Sequence, residues 1–204
     1  MRFFARREPV KGIAPDDTIS AERAHVRRAF VKAWIPADAV GAELGVYKGH
    51  FSKILLDVAR PRELHLVDPW FNLTNEWGWG EGNNSTIDAL INILRYFKPE
   101  IEAGTVRIHV GDDLDVLERF DDGSLDWVYI DSSHAYAHTL AELEVLKRKV
   151  RPAGVIAGDD WRPDPNAKHH GVYRAVQQFN AENDYEVVHT GAYGQWAIRR
   201  RGEA

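Results

Sequence analysis

The chain has 204 residues, of which 44% are hydrophobic and 28% are charged, values typical of a single soluble globular domain. Its formal net charge of −5 gives no bulk electrostatic reason to bind nucleic acid. The absence of cysteine excludes disulfides, thiolate metal sites and a cysteine nucleophile, and fits a reducing, cytoplasmic compartment. No apolar run approaches the roughly 20 residues of a membrane span, and we expect no secretory signal.

Residues 1–38 are predicted to form an extension followed by a first helix over 16–35, with Ser20 as its N-cap. The apolar stripe of this helix is predicted to consist of Val26, Ala29, Phe30 and Ala33. The later predicted helices run up to residue 60, over 85–97, over 114–119, between 131 and 152, and over 171–182. The predicted strands are 39–44, 63–67, 105–110, 127–130, 155–157, 185–190 and 195–199. This order predicts one doubly wound α/β domain, with a seven-stranded, mostly parallel sheet and an antiparallel hairpin at its C-terminal edge.

A glycine turn follows the first strand, with the sequence ELGVYKG at residues 43–49. Its spacing is GxxxG rather than the GxGxxG of dinucleotide folds, and Tyr47 stands where a glycine would let a pyrophosphate approach. The turn therefore favours a ligand with a bulkier or zwitterionic group, and Glu43 would face a ligand ammonium. The pattern is weak alone, because glycine-rich turns between a strand and a helix are common.

Two further carboxylates follow the next two strands. Asp68 lies about 20 residues after the glycine turn, where nucleotide-binding α/β folds contact ribose hydroxyls. The alternative for Asp68 is the start of an Asp-Pro turn. Asp112 could accept a hydrogen bond from an adenine amino group, and its alternative role is a helix N-cap.

Residues 70–84, WFNLTNEWGWGEGNN, are too irregular for a helix or a strand. Such long loops in a compact domain are usually functional or disordered, and the three tryptophans argue against disorder. We predict a lid, in which Trp77 and Trp79 stack on the apolar face of a sugar or an aromatic ring. The alternative is a loop that aromatic packing holds against the body of the domain.

Residues 125–161 form the centre of the predicted fold and have the pattern strand, helix, strand. Pro152 and Gly154 are predicted to stop the helix before the second strand. The two strands are expected to be parallel and adjacent, about 4.8 Å apart. Asp131 and the Asp159–Asp160 pair would then meet at the carboxyl edge of the sheet, where open α/β sheets bind their ligands.

Three converging carboxylates would repel one another, so they need a shared proton or a bound cation. Oxygen-only ligands favour Mg²⁺, Mn²⁺ or Ca²⁺ over zinc. We predict Mg²⁺ or Mn²⁺ held by Asp131, Asp159 and Asp160, provided that the strand ends before Asp160, because successive strand side chains point to opposite faces. The alternative is a set of polar strand ends that cap the elements following them.

His134 is the candidate general base, because its unperturbed pKa suits proton transfer and it follows Asp131 by three residues. Alternatively, His134 lies at the start of a helix and hydrogen-bonds to the backbone. Tyr136 is expected to pack against His134 or orient it, and to lie near the substrate. Trp161 and His169 are predicted substrate contacts at the same edge, although a solvated loop is an alternative for His169.

Six motifs together resemble a class I S-adenosylmethionine-dependent methyltransferase: ExGxxxGxxS at 43–52, VDPW at 67–70, GD at 111–112, IDSSHAY at 130–136, RPAGVIAGDDW at 151–161 and GVYRAVQQF at 171–179. The resemblance covers residues 39–199. Within this class, the chain most resembles the small metal-dependent O-methyltransferases that include macrolide-sugar and cephalosporin-pathway enzymes. This resemblance implies a Rossmann-like methyltransferase fold, S-adenosyl-L-methionine as the cofactor, and a divalent cation on the three aspartates. The expected cofactor contacts are Glu43, Gly45, Tyr47, Gly49, Ser52, Asp68, Asp112 and Asp131.

The expected reaction is Mg²⁺-dependent transfer of a methyl group to a hydroxyl of a small acceptor. Tryptophan faces and asparagine amides suit a carbohydrate, such as a sugar or a glycosylated metabolite. The alternatives are a catechol-like diol as acceptor, a non-catalytic cofactor-binding module, and an NAD-dependent sugar enzyme, which the glycine spacing disfavours. No nucleic-acid or membrane partner is expected, and a homodimer is one option for the assembly.

Overall fold

The computed structural model describes residues 20–70 and 84–202. The helices are α1 (Ala21–Trp34), α2 (His50–Val58), α3 (Asn84–Tyr96), α4 (Lys98–Glu102), α5 (Asp113–Leu117), α6 (Tyr136–Lys149) and α7 (His170–Glu182). The strands are β1 (Val40–Leu44), β2 (Glu63–Asp68), β3 (Val106–Val110), β4 (Leu125–Ile130), β5 (Val150–Gly158), β6 (Tyr185–Thr190) and β7 (Trp196–Arg200). None of the helices in these two ranges combines the length and the apolar character that crossing a bilayer requires.

The seven strands form one sheet in the order β3-β2-β1-β4-β5-β7-β6. Strands β1 to β5 pair in parallel, and β7 is antiparallel to both β5 and β6. The predicted sheet, mostly parallel with antiparallel C-terminal strands, is therefore confirmed. The strand order reverses between β1 and β4, which leaves a crevice at the carboxyl ends of these two strands.

Strand β4 shows why the centre of the fold has such an apolar sequence. Every residue of β4 is buried, because helices cover both faces of the sheet. Trp127 and Tyr129 pack into the core on the side of α1, α2 and α3. Val128 and Ile130 point to the opposite face and pack into the core on the side of α6 and α7.

Strand β5 begins earlier than the sequence predicts. Helix α6 ends at Lys149, so Pro152 and Gly154 lie inside the strand and do not stop the helix. Leu125 pairs with Val150 and Trp127 pairs with Val155, which leaves residues 151–154 opposite a single residue of β4. Proline is tolerated there because a bulge removes the need for a backbone N–H in the sheet ladder.

Helix α4 is absent from the prediction, which ended the preceding helix at Lys98 and Pro99. These two residues begin a new short helix instead. Proline is compatible with the first turn of a helix, because the N–H that it lacks would have no intrahelical partner there.

The buried stripe of α1 differs from the predicted one. Ser20 caps the helix as expected, its hydroxyl accepting from the Arg23 N–H at 3.2 Å. Ala29 and Ala33 are exposed, and Arg27 is buried instead. The residues of this helix that face the core are Arg27, Phe30, Val31 and, half-buried, Trp34. This set has the spacing i, i+3, i+4 and i+7 of a helical face, with an arginine in its first position.

We expect Gly41→Ala to destabilise the fold by about 2 to 3 kcal/mol, a range typical of overpacking. Gly41 lies on the central strand β1 opposite Trp127, and a Cβ there would lie 2.0 Å from the indole ring. Urea unfolding of the variant measures the loss. Gly111→Ala is the matched control, because its added Cβ would meet Val116 at an ordinary 3.6 Å. Equal stability of the two variants would contradict the packing argument.

Candidate active site

A cavity of about 280 Å³ opens at the carboxyl edge of the sheet. It lies at the point where the strand order reverses, the usual ligand site of an open α/β sheet. The residues singled out from the sequence that line it are Glu43, Gly45, Tyr47, Asp68, Asp131, His134 and His169. Arg27 of α1 joins them, so the cavity wall includes an N-terminal helix as well as the strand ends.

The glycine turn brings β1 against the loop that follows β4. Gly45 has a φ of +84°, and a Cβ at this position would lie 2.0 Å from the backbone oxygen of Asp131. Only glycine allows this close approach. Tyr47, two residues later, also has a positive φ, of 49°, which few residues with a side chain adopt. The first glycine of the GxxxG pattern is thus explained by the closeness of two chain segments.

Asp68 holds this turn in place. Its carboxylate accepts hydrogen bonds from the backbone N–H groups of Val46 and Tyr47, both at 2.8 Å, and of Trp70 at 2.6 Å. A carboxylate offers roughly four lone-pair positions, so about one remains for the predicted ribose contact. Burial raises the pKa of Asp68 in spite of these backbone bonds.

Glu43 is an almost fully buried carboxyl group in the cavity wall, with 1% of its surface exposed. Burial, together with the nearby Asp131, raises its pKa to about 8, although the Ser52 hydroxyl donates to it at 2.5 Å. Glu43 therefore favours its protonated form more than an exposed glutamate does, and a bound ammonium group would favour its ionised form. Ser52 is fully buried and supports Glu43, while Gly49 is the left-handed N-cap of α2.

Asp112 serves as the N-cap of α5, the alternative role considered for it. Its carboxylate accepts from the backbone N–H groups of Leu114 at 3.0 Å and Asp115 at 3.4 Å. It is not among the described residues that line the cavity, and the adenine contact stays a prediction. The next residue, Asp113, lies 2.7 Å from the His138 ring, which places this histidine in a half-buried ion pair.

Strands β4 and β5 end side by side, as expected for the central unit, so Asp131 and Asp159 follow adjacent positions. Strand β5 ends at Gly158, and Asp160 has a φ of +62°. The alternation of strand side chains has therefore stopped before Asp160, which was the condition for both aspartates to face one edge. The tip is supported by β7, because the Trp196 indole N–H donates to the Asp159 backbone oxygen at 2.9 Å.

Arginine side chains from α1 compensate the charge of Asp159. The Arg27 guanidinium hydrogen-bonds one Asp159 oxygen, and the Nη2 atom of Arg23 lies 3.2 Å from the same oxygen. Arg27 also lies 3.7 Å from Asp131. Burial and Asp131 raise the pKa of Asp159, although Arg27 lowers it.

Asp160 has a different set of partners. One of its oxygens lies 3.0 Å from His134 Nε2 and 3.5 Å from His169 Nδ1. Within the described ranges, the ligand atoms of His134, Asp160 and His169 come within 4.8 Å of one another, in a group that contains neither Asp131 nor Asp159. The predicted set of three aspartates is thus not assembled around one point in this conformation. The reason is that Arg27 and His134 lie between the carboxylates and neutralise them, an arrangement that the sequence argument did not consider.

His134 is held between two carboxylates. Its Nε2 atom lies 3.2 Å from Asp131 and 3.0 Å from Asp160. Burial alone would lower its pKa, but the hydrogen bonds to Asp131 and Asp160 outweigh burial and raise the pKa to about 9. In this conformation the two carboxylates therefore favour the protonated imidazole, and the role of His134 as general base stays a prediction.

The predicted substrate residues divide into three groups. His169 lines the cavity, with its ring 4.4 Å from that of His134 and a φ of +68°. Tyr136 and Trp161 turn towards α7: the Tyr136 hydroxyl bonds Gln178, and the Trp161 ring meets the Tyr173 ring edge-on at 5.0 Å. The Tyr136 hydroxyl is therefore bonded to α7, and the expected role of Tyr136 beside His134 stays a prediction. Trp77 and Trp79, with nearly all of the predicted lid, lie outside the described residues.

Arg27 is the site residue that the sequence argument missed. An arginine is rarely fully buried unless it is paired, so its position among apolar residues of a helix does not by itself predict burial. The spacing from Arg27 to Phe30, Val31 and Trp34 would have identified it, because a charged residue on the core face of a helix needs a buried partner.

We expect the free energy of unfolding of Glu43→Gln to fall less steeply than that of wild type as the pH rises through neutrality. The carboxyl group of Glu43 keeps its proton up to about pH 8 when folded, but loses it near its ordinary value of 4.5 when unfolded. Unfolding therefore releases a proton between these pH values, and Glu43 makes stability fall as the pH rises through this window. Urea unfolding of wild type and variant from pH 5 to 8 measures the difference, and parallel curves would contradict the raised pKa.

Comparisons with known proteins agree with this geometry. The profile of one family, described as a methyltransferase domain, matches residues 42–161. A protein from Corynebacterium glutamicum has the same fold with a TM-score of 0.60 and 15% identity, over 93% of this chain and 83% of that one. A SAM-dependent methyltransferase from Aquifex aeolicus has a TM-score of 0.56 and 13% identity, over 88% of this chain and 90% of that one. An M1A22 tRNA methyltransferase from B. subtilis has a TM-score of 0.54 and 12% identity, over 84% of this chain and 63% of that one.

A comparison with curated protein sequences found no match. Identities this low show a shared fold and leave the acceptor open. The family match covers more than half of the chain, and it includes Glu43, Asp68 and Asp131 in the cavity wall and Asp159 and Asp160 at the tip of β5. The chain therefore belongs to the methyltransferase-domain family, and it has the fold of the S-adenosylmethionine-dependent methyltransferases.

Proposed function

We propose that this methyltransferase transfers a methyl group from S-adenosyl-L-methionine to a hydroxyl group of a small acceptor, with the help of Mg²⁺ or Mn²⁺. The observation that carries the proposal is the combination of Asp131, Asp159, Asp160 and His134 beside the cavity at the carboxyl edge. This combination suits the small metal-dependent O-methyltransferases that the sequence resembles. A hydroxyl is a weak nucleophile, and its activation needs both a base and stabilisation of the oxygen's negative charge.

Glu43 and the glycine turn are the groups that would hold the methyl donor. Glu43 is a buried acid that, among the described residues, accepts a hydrogen bond from the Ser52 hydroxyl, and it suits the ammonium of the methionyl part. The turn at Gly45 offers a close approach to the backbone, and Asp68 fixes that turn before any ligand arrives. The cofactor wall is therefore largely preorganised, which reduces the cost of binding.

The donor set at the strand tips fits a hard divalent cation in its chemistry, because Asp131, Asp159 and Asp160 offer only carboxylate oxygens. Arg27 would have to withdraw from Asp159 for the three to act together. A divalent cation held there supplies Lewis-acid stabilisation of the acceptor oxygen. The buried position of Asp159, with 2% of its surface exposed, explains why the site needs a positive charge in every state.

His134 would take the proton of the acceptor hydroxyl. In the present conformation Asp131 and Asp160 keep it protonated, with a pKa of about 9. When the negative charge of these two carboxylates is shared with a cation, their hold on the imidazolium weakens and its pKa falls towards neutrality. His134 would then be able to accept a proton at Nε2, the atom that faces both carboxylates.

We propose a sugar hydroxyl or a glycosylated metabolite as the acceptor. The support is the hydrogen-bonding side chains of Lys48 and His169 among the described residues that line the cavity, together with the tryptophans and asparagines that the sequence offers between residues 70 and 84. Hydrogen-bonding side chains at the edge of a cavity suit polyhydroxylated ligands. A catechol-like diol is the second candidate acceptor, and a panel of sugars and catechols separates the two.

We expect His134→Ala to reduce kcat by about 10² to 10⁴, the usual contribution of a general base. Binding of S-adenosylhomocysteine, measured by calorimetry, should stay close to that of wild type, because Glu43 and the glycine turn are unchanged. His25→Ala is the matched control, since His25 is an exposed histidine on α1. Unchanged turnover in His134→Ala would remove this residue from the mechanism.

We expect a chelator to abolish methyl transfer, and added Mg²⁺ or Mn²⁺ to restore it, while S-adenosylhomocysteine still binds. The reason is that the acceptor oxygen loses its Lewis acid but the cofactor wall stays intact. Methyl transfer is followed by mass spectrometry over the acceptor panel. Full activity after metal removal would refute the cation, and no transfer under any condition would favour a non-catalytic cofactor-binding module.

A further inference from the structure

Arg27 occupies the carboxylate on which the proposed cation would depend. Its guanidinium bonds one oxygen of Asp159 and lies 3.7 Å from Asp131. The guanidinium carbon lies 5.2 Å from the centre of the Phe51 ring, within the range of a cation–π contact. Arg27 is 5% exposed, so its charge is held inside the protein at the edge of the cavity.

Both oxygens of Asp159 are already in use. One accepts from Arg27 and from Arg23, and the other accepts from the backbone N–H of Asp160 at 2.9 Å. A divalent cation on either oxygen would lie close to the Arg27 guanidinium, because both oxygens belong to one carboxylate, and like charges so close together in a buried place repel strongly. Arg27 and a cation on Asp159 therefore exclude each other.

The hold of Arg27 on this position is incomplete. Its Nε atom is buried and, within the described ranges, has no hydrogen-bond partner. An unsatisfied buried donor costs free energy, which weakens the net stabilisation that the ion pair provides. Arg23, the second arginine on Asp159, has a side chain that is 36% exposed, so water already competes for it.

We propose that Arg27 is an internal counter-ion of the cation site: its guanidinium and the divalent cation are alternative occupants of Asp159. This inference rests on the proposed function, since it assumes that the aspartates bind a cation. Helix α1 is then tied to the tip of β5 by Arg23 and Arg27 in the metal-free state, and it loses both ties when the cation binds. Binding of the cation therefore loosens the first half of α1.

The experiment is a Mn²⁺ titration, by calorimetry or electron paramagnetic resonance, of wild type, Arg27→Met, Arg28→Met and Asp159→Asn. Removing the competing charge should tighten Mn²⁺ binding in Arg27→Met by about tenfold or more. Arg28→Met is the matched control on the same helix, because Arg28 pairs with Asp57 on the surface, and it should bind Mn²⁺ like wild type. Asp159→Asn should lose binding.

The outcomes separate this inference from the proposed function. Equal or weaker Mn²⁺ binding in Arg27→Met, with binding still dependent on Asp159, overturns the competition and leaves the cation site standing. No Mn²⁺ binding in either wild type or Arg27→Met, or undiminished binding in Asp159→Asn, overturns the cation site and the competition with it.

A measurement on the wild-type protein covers the case in which Arg27→Met fails to fold. Hydrogen exchange of the α1 amides, followed with and without saturating Mn²⁺, should become faster between Ala21 and Arg28 when the metal binds. Exchange in the C-terminal half of α7, away from its N-cap His169 at the cavity, serves as the internal reference. Unchanged or slower exchange in α1 on saturation contradicts the coupling.

Discussion

The charge balance at the tips of β4 and β5 is the constraint on which the site depends. Asp131 and Asp159 follow adjacent strands, and Asp159 is almost completely buried. A buried carboxylate left without a partner typically destabilises a protein by about 3 to 5 kcal/mol. The folded chain meets this need with Arg27 from α1 and His134 from the loop after β4. The same negative charge that would bind a cation therefore also fixes the N-terminal helix to the sheet.

Backbone strain gathers at the same edge. Seven described residues other than glycine have a positive φ, and four of them, Tyr47, His134, Asp160 and His169, lie in the cavity wall or at the strand tips. Such conformations cost free energy and persist only where the surrounding structure imposes them. Here Asp68 fixes the turn that contains Tyr47, while Asp160 is held by both histidines. The edge is rigid where a methyl donor and an acceptor oxygen need to be aligned.

The sequence predicted those features that depend on local patterns. The apolar run of β4 and the mostly parallel seven-stranded sheet could be predicted, and the aspartates that end the strands could be placed at one edge. The bulge at residues 151–154 could not be foreseen, because it depends on how β5 pairs with β4. The raised pKa of His134 and the burial of Arg27 could not be predicted either, since both depend on contacts with Asp159 or Asp160 in another segment of the chain. Asp112 shows the limit of residue-by-residue assignment, because a strand-end aspartate can cap a helix as readily as contact a ligand.

The tip of β5 brings together distant parts of the chain. The side chain of Asp159 contacts Arg27, while its backbone oxygen accepts from Trp196. A nascent chain acquires residues in order, so both contacts can form only after Trp196 has been synthesised and has left the ribosome. Until Trp196 emerges, the sheet lacks β7 and the tip of β5 has no neighbour on that side. Nascent chains that end before Trp196 would therefore contain the glycine turn but lack the contact that supports the tip of β5.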